Sequence, residues 1–276
     1  MLAHEPYIRL GMFGAVFALM ALWELLAPRR PQAVARGIRW PNNIAIVVID
    51  TMIVRIMFPT AAVGLALVAE ARGWGLFSLA RLPPWLSIPL VILLLDLTIY
   101  LQHVLFHAVP ALWRLHRVHH ADLDIDVTTG VRFHPVEIAI SMLIKLVAVA
   151  ALGTPAVGVL AFEVLLNATS MFNHANVRIS SHMERILRWI VVTPDMHRVH
   201  HSVDPNETNS NFGFNLPWWD RLFGTYRPRP AAGHRAMTVG VEQFRDPREL
   251  RVDRMLLQPF RGDTGNYPLG RRENPK

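Results

Sequence analysis

Apolar residues along this chain come in long blocks, not in alternation. Residues 10–27 (LGMFGAVFALMALWELLA) hold one charge, Glu24, over a length close to that of a bilayer core. A second block, 44–69, is interrupted by Asp50, Arg55 and Pro59, and its opposite charges are placed to pair within a bundle. A third, 85–107, is purely apolar in its first half and carries Asp96, Tyr100, His103 and His107 in its second. The fourth, from Val136 to Phe172, is split by Gly153-Thr154-Pro155 into two pieces that predict an antiparallel helical hairpin. Each piece sits at the short end of the spanning range, so the hairpin either crosses fully or dips in and returns. No long apolar run follows Arg178, and 261–276 reads as a disordered end. The pattern predicts an all-α fold: an integral-membrane helical bundle of three spans plus a helical hairpin, with a cytosolic helical lobe.

Composition agrees. Of 276 residues, 52% are hydrophobic and 18% charged, against about 25% charged in soluble domains. The chain has no Cys, which excludes disulfides, thiolate zinc sites, iron–sulfur clusters and Cys nucleophiles. The net charge of +7 reads as arginine-rich loops facing anionic lipid headgroups, not as a nucleic-acid surface. Loop 28–43 holds Arg29, Arg30, Arg36 and Arg39 and no acid, so the positive-inside rule places it in the cytoplasm. These arginines follow the first apolar run instead of preceding it, unlike a cleavable signal peptide. Counting crossings then brings the end of the third span, and the chain after the hairpin, to that same face.

The candidate chemistry is histidine. Eight of 13 histidines fall within 103–120 and 197–201. Asp96, Tyr100, His103 and His107 are spaced four, three and four apart, one polar stripe on a helix. The string HRVHH occurs twice, as His116, His119, His120 and as His197, His200, His201, each set sharing a helical face. Before the second, Thr193 is an N-cap, Pro194 suits the first helical position and Asp195 the positive dipole end. Eight imidazoles exceed the usual four ligands of a single zinc and divide naturally between two metals; imidazole suits Zn, Cu, Fe and Ni alike. His174, where the hairpin returns, and His134, where it starts, lie on the same side and complete the candidate set: His103, His107, His116, His119, His120, His134, His174, His197, His200 and His201. No catalytic residue is expected beyond these ligands. Asp96, Asp122, Asp124, Asp126, Glu137 and Asp195 are candidates to orient their rings.

HVLFH (103–107), HRVHH (116–120) and HRVHH (197–201), in the order HxxxH, HxxHH, HxxHH, resemble the fatty acid hydroxylase / sterol desaturase superfamily of integral-membrane histidine-box di-iron oxygenases. RFHPVE (132–137), NHAN (173–176), TPDMHRVHHS (193–202) and NFGFNLPWWDRLFGTYRP (211–228) support the resemblance, which covers about half the chain. It implies two irons held by the boxes and an O2-dependent hydroxylation or desaturation of a lipid such as a fatty acyl chain or sterol. Hydroxylase relatives often supply a further histidine where this chain has Arg178, so by the resemblance one ligand is missing or comes from His134 or His182. No GxGxxG motif and no extra soluble domain is present for a flavin or haem, so electrons come from an external electron-transfer protein or reductase. The expected organisation is an N-terminal transmembrane region (1–89), a fatty acid hydroxylase-like di-iron domain including the third span and the hairpin (90–228), and a polar, partly disordered C-terminal tail (229–276). The expected partners are lipid, O2, the electron donor and the membrane, and no nucleic acid. The aromatic phrase 216–226 either packs the lobe onto the bundle or rims a lipid entrance. An alternative reading is a membrane metal transporter or metal-binding protein using the same histidines, but a transporter holds its ligands near the bilayer midplane, and these follow span ends. A zinc hydrolase needs a general base as in HExxH, which these boxes lack.

Overall fold

The computed structural model describes residues 2–269, and among them the chain is helical, with no strand and two isolated bridges. Five segments are long and apolar enough to cross a membrane: Glu5–Leu26, Arg36–Ala80, Pro84–Ala108, Pro135–Leu152 and Ala156–His174. The protein is a multi-pass integral membrane protein. The first segment is α1 (Glu5–Leu26). The second is broken: α2 (Arg36–Met57) stops at Phe58, and the chain resumes as α3 (Ala61–Arg72) and α4 (Gly75–Ala80). The break follows from Pro59, which disfavours helical backbone at the residue before it. α5 (Pro84–Ala108) and α6 (Pro110–His120) are separated at Val109, where Pro110 opens the new helix. α7 (Pro135–Leu152) and α8 (Ala156–His174) are the two arms of the hairpin.

Side-chain contacts fix the direction of each helix. Arg9 pairs with Glu163 (2.7 Å), and Glu24 accepts from the Asn176 N–H (2.9 Å), so α1 and α8 run parallel. α7 runs against them, and its 18 residues rise ~27 Å. At the far end the turn between α7 and α8 meets the turn between α3 and α4 backbone to backbone. A Cβ on Gly153 would lie 1.7 Å from the Trp74 carbonyl oxygen, and Gly153 is left-handed at φ +64°. The hairpin therefore runs the full length of the bundle. α1, α5 and α8 all end at one face, which we call the near face, and α2 and α7 begin there.

The core between α3, α5, α7 and α8 uses small residues, Ala62, Ala66 and Ala156 among them, with Val91, Leu95 and Phe162 filling the remaining space. Small side chains let helices approach closely where lipid removes any hydrophobic drive between them. Large apolar side chains point outward on α1, α2 and α7, as Leu19, Ile56 and Val147 do. One buried charge at this depth is doubly paired: Glu163 takes Lys145 (2.5 Å) and Arg9 together. The expected Asp50–Arg55 partnership does not form. Asp50 is buried with an unpartnered Oδ1, while Arg55 is exposed. Five positions apart on a helix point to different sides.

Above the near face, α6, residues 121–134, α9 (Ser181–Leu187), α10 (Pro194–His200) and the chain to Leu269 form the lobe. The C-terminal stretch is ordered further than its composition suggests. Tyr267 is fully buried and stacks on Trp113 (5.2 Å), and Arg117 donates to the carbonyls of Gln258, Arg261 and Asp263. A buried guanidinium needs several acceptors, and backbone from 258–263 supplies them. Residues 270–276 lie outside the described residues. The arginines of 28–43 also differ from expectation, since Arg29, Arg30 and Arg39 bind the lobe and Arg36 pairs with Glu24 of α1 (3.5 Å), and Arg36 and Arg39 belong to α2 instead of a loop. Arg39 is fully buried and donates to Asp122 (2.7 and 2.8 Å) and to Asp126, while Arg29 pairs with Asp195 (3.0 Å).

Candidate metal centre

The near face assembles nine buried histidines into two groups. His103, His107, His116, His120 and His200 form one; His119, His174, His197 and His201 form the other, and within each group the ring nitrogens lie within 4.8 Å of one another. Each group draws on distant parts of the chain. Each HRVHH string also serves both groups: in α6 the i and i+4 residues, His116 and His120, face one group and the i+3 residue, His119, the other. α10 does the reverse, with His197 and His201 in the four-membered group and His200 in the five-membered one. Three residues along a helix turn 300° and four turn 400°, so i+3 and i+4 flank the first position from opposite sides.

The rings are held from behind. Outward-facing Nδ1 atoms reach the Phe212 carbonyl from His103 (2.8 Å), the Arg132 carbonyl from His119 (3.1 Å), the Ser170 carbonyl from His174 (2.7 Å) and the Ser210 carbonyl from His200 (2.8 Å). His107 reaches Asn209 Oδ1 (3.1 Å), and His116 reaches Glu137 Oε1 (2.6 Å). A carbonyl only accepts, so the rings of His103, His119, His174 and His200 carry their proton on Nδ1 and turn a bare Nε2 inward, while the buried Nδ1 atoms of His120, His197 and His201 have no partner. The inward atoms then approach without a proton between them: His103 and His116 at 3.1 Å, His119 and His174 at 3.1 Å. The inward Nε2 atoms of His107 and His200 have no protein partner at all. Lone pairs facing at this distance need a shared cation. Protons are a poor choice, because burial pushes His116 down to about 3 and holds His119, His120, His197, His200 and His201 well below their ordinary value. Neutral imidazoles with fixed tautomers and converging Nε2 atoms are instead a metal-ligand set.

His134 stands outside both groups. Its Nδ1 accepts from the Val136 N–H (3.2 Å) as the N-cap of α7, and its Nε2 faces the Leu256 carbonyl (3.3 Å). His182 is exposed on α9, and His234 lies 3.6 Å from Asp195. Of the six carboxylates considered as ring orienters, Glu137 touches a histidine of the groups. The others hold the scaffold. Asp96 accepts from the Asn215 and Leu216 N–H groups and from Trp219 Nε1 (2.9 Å). Asp122, Asp124 and Asp126 bind Arg39, the Val34 N–H, Thr128 and Thr129. Burial pushes the Asp122 carboxyl up, but Arg39 and Arg132 outweigh it and hold it well below the carboxylate range. Burial likewise raises Asp195, and Arg29 with Arg198 brings it to about 2.

Thr193 caps α10 by accepting from the Met196 N–H (3.3 Å), with Pro194 first in the helix, as its sequence indicates. The orienting carbonyls and Asn209 carry no sequence signal of their own, since every residue has a carbonyl. The packing of 209–212 against α5 and α10 gives Asn209, Ser210 and Phe212 this role, and the positions of Arg132 and Ser170 beside His119 and His174 give it to theirs.

A sequence model of the fatty acid hydroxylase family matches residues 88–225, half of the chain. The chain belongs to the fatty acid hydroxylase family. All nine converging histidines lie inside the matched stretch. Among similar proteins, ornithine lipid hydroxylase OlsE of Rhizobium tropici is 30% identical over 152 residues, which is 54% of this chain and 45% of that protein. Alkylglycerol monooxygenase of Xenopus tropicalis is 28% identical over 192 residues, 67% of this chain and 40% of that protein. The Danio rerio alkylglycerol monooxygenase is 31% identical over 133 residues, 48% of this chain and 29% of that protein. The chain thus spans less than half the length of these curated relatives. No solved structure matches it. Outside the matched stretch, Arg39 and Asn43 from α2 still brace the region beside the histidine groups, through Asp122 and Thr128.

Proposed function

We propose that this fatty acid hydroxylase is an O2-dependent lipid monooxygenase that uses two irons, one held by His103, His107, His116, His120 and His200 and one by His119, His174, His197 and His201. The observation that carries the reading is the pair of groups with bare Nε2 atoms turned inward. Imidazole does not by itself select iron; the choice of iron rests on the family. Two relatives are named for the hydroxylation of an ornithine lipid and the monooxygenation of an alkylglycerol, which favours hydroxylation over desaturation. Bound iron supplies the redox capacity to activate O2 against an unactivated C–H bond. In balance, a C–H bond becomes C–OH with one atom of O2, and the other leaves as water with two electrons and two protons.

The chain's own residues provide placement and exclusion of water. The carbonyls of Phe212, Ser210, Ser170 and Arg132 hold the rings in one tautomer, so the ligand set is preorganised. Glu137, against His116, keeps a carboxylate beside an otherwise neutral ligand shell and strengthens the His116 ring as a donor. Phe133, stacked on His119 (4.5 Å), and Phe212 close apolar walls around the groups. We assign the supply of electrons to an external electron-transfer protein or reductase. Loop 28–43 and the lobe lie on one face, which we assign to the cytoplasm from its arginines. The catalytic unit is 90–228, with the membrane region up to residue 89 bracing it and the described part of the tail, 229–269, covering it.

The test is metal analysis of anaerobically purified protein, followed by incubation with membrane lipids, a chemical reductant and 18O2. The expected result is two irons per chain and a lipid product heavier by one 18O. A fully active protein holding a single zinc would sink the di-iron reading. Metal uptake into sealed vesicles without lipid oxidation would instead establish the transporter.

A further inference from the structure

A cavity of about 630 Å³ opens beside α5, within the range of small-molecule sites. Its two sides differ. Leu101 and Val104 of α5 line the bundle side, while Asn206, Asn209 and Arg227 line the lobe side. Its rim faces the bilayer boundary, because Leu101 and Phe223 at the cavity and Leu105 and Leu222 nearby are all exposed apolar side chains. Its floor is the metal centre's own wall. The Phe212 ring lines the cavity and stands 5.0 Å from the His107 ring, 5.6 Å from His103 and 5.5 Å from His200. Asn209 lines the cavity too, with its Oδ1 on His107 Nδ1. One side-chain layer therefore separates the cavity from the five-histidine group.

We propose that this cavity seats the polar end of a membrane lipid, its headgroup and first carbons, and that oxidation falls on carbons next to the headgroup instead of the distal chain. The inference rests on the monooxygenase reading and adds the substrate's orientation. The lobe side offers donors, the Arg227 guanidinium and the Asn206 amide, to an acceptor-rich headgroup such as an ester, phosphate or carboxylate. The chain leaves past Leu101 into the bilayer. With the headgroup seated one layer from the histidines, the atoms within reach are those joined to it, and a distal methylene would have to fold back against the floor. Phe212 is a positioning residue, whose ring decides how far the first carbons advance. The reaction balance is that given above.

The full chain in nanodiscs tests this. Two photoreactive glycerolipids are compared, one with a diazirine beside the headgroup and one with it at the chain end. The headgroup-proximal probe is expected to label 100–104 and 206–228, and the terminal probe to label neither. Labelling of these segments by the terminal probe alone, or by neither probe, overturns the proposal. Val104→Trp, which fills the cavity, should cut product at least tenfold with iron content unchanged; unchanged turnover overturns it. Phe212→Leu should shift the position of the 18O along the chain while leaving metal binding intact. Product carrying its 18O in the distal chain of the unsubstituted protein also overturns it. A protein with no oxygen-dependent product in any lipid fails the monooxygenase reading instead, and the cross-linking then decides the cavity's occupant by itself.

Discussion

At the scale of the residue, six of the nine imidazoles in the two groups are held at Nδ1, and that outer contact sets what the inner nitrogen can do. Glu137 is the orienting side chain with an ionisable group, so Glu137→Gln keeps an acceptor on His116 but removes the carboxyl. We expect metal affinity at the five-histidine group to fall about 10- to 100-fold, measured by competition with a chelator, with the four-histidine group unchanged. His119→Ala should lower both metal content and product, whereas His134→Ala should lower neither and cost only the N-cap of α7, about 1 kcal/mol. Loss of metal in the His134 variant would bring that residue back into the shell. Acid should act on the same rings. Burial takes His116 from its ordinary 6.5 to about 3, so the folded metal-free protein binds fewer protons than the unfolded chain between those values. Stability is therefore complete above pH 6.5 and falls as pH drops from 6.5 toward 3. Thermal melts of chelated protein at stepped pH should show Tm falling through this window and flat above it. Asp195, held at about 2, adds a smaller loss below its ordinary 3.8.

At the scale of the element, the HxxHH spacing is a device for sharing one helix between two sites. A strict i, i+4 pair would serve one metal; adding i+3 sends a third ring to the other side. The twofold use of HRVHH was plain in the sequence, but the assignment of each ring to a group was not. It depends on how α6 and α10 are rotated against α5 and α8, and Pro110 sets the first of these by breaking α5 from α6. Close approach between elements matters as much as ligand identity. Gly130 packs against α8 so tightly that a Cβ there would lie 2.5 Å from the Ser170 carbonyl oxygen and 3.2 Å from His174 Nδ1. Ser170 is also the residue whose carbonyl orients His174. Gly130→Ala should therefore displace α8 at its near end and empty the four-histidine group first, leaving about half the iron bound. Equal loss from both groups, read by metal counting and by spectroscopy of the remaining ion, would show that the displacement spreads across the whole centre.

At the scale of the molecule, metals held as proposed would tie segments that are far apart in the chain. His107 comes from α5, His120 from α6, and His200 from α10 some 80 residues later. Binding energy in such a site is also folding energy for the lobe. Removing iron should raise hydrogen exchange in 107–134 and 174–225, while α1 and α2 stay protected by lipid. Identical protection with and without metal would mean that the lobe stands without it. Topology gives a separate check. Reporter fusions at Arg39 and after Lys276 should fall on the same side of the membrane, and opposite sides would break the assembly of the near face.

Much of this was written in one dimension. Apolar blocks longer than a core helix needs, an absence of Cys and three phased histidine strings are local properties, and they sufficed for an all-α membrane bundle with a histidine metal centre. The N-cap at Thr193 and the break at Gly153-Thr154-Pro155 were legible for the same reason, since backbone preference acts over a few residues. Other features depended on where distant segments meet. The division of nine histidines into five and four, the exclusion of His134 and the orienting carbonyls of 210–212 arise from packing between helices. So does the burial of Arg39 among Asp122 and Asp126, which turns a loop arginine counted as a lipid-facing charge into a brace for the site. A charge in a sequence says only that it must be solvated or paired. Whether water, a headgroup or a buried carboxylate does so is decided by the fold that closes over it.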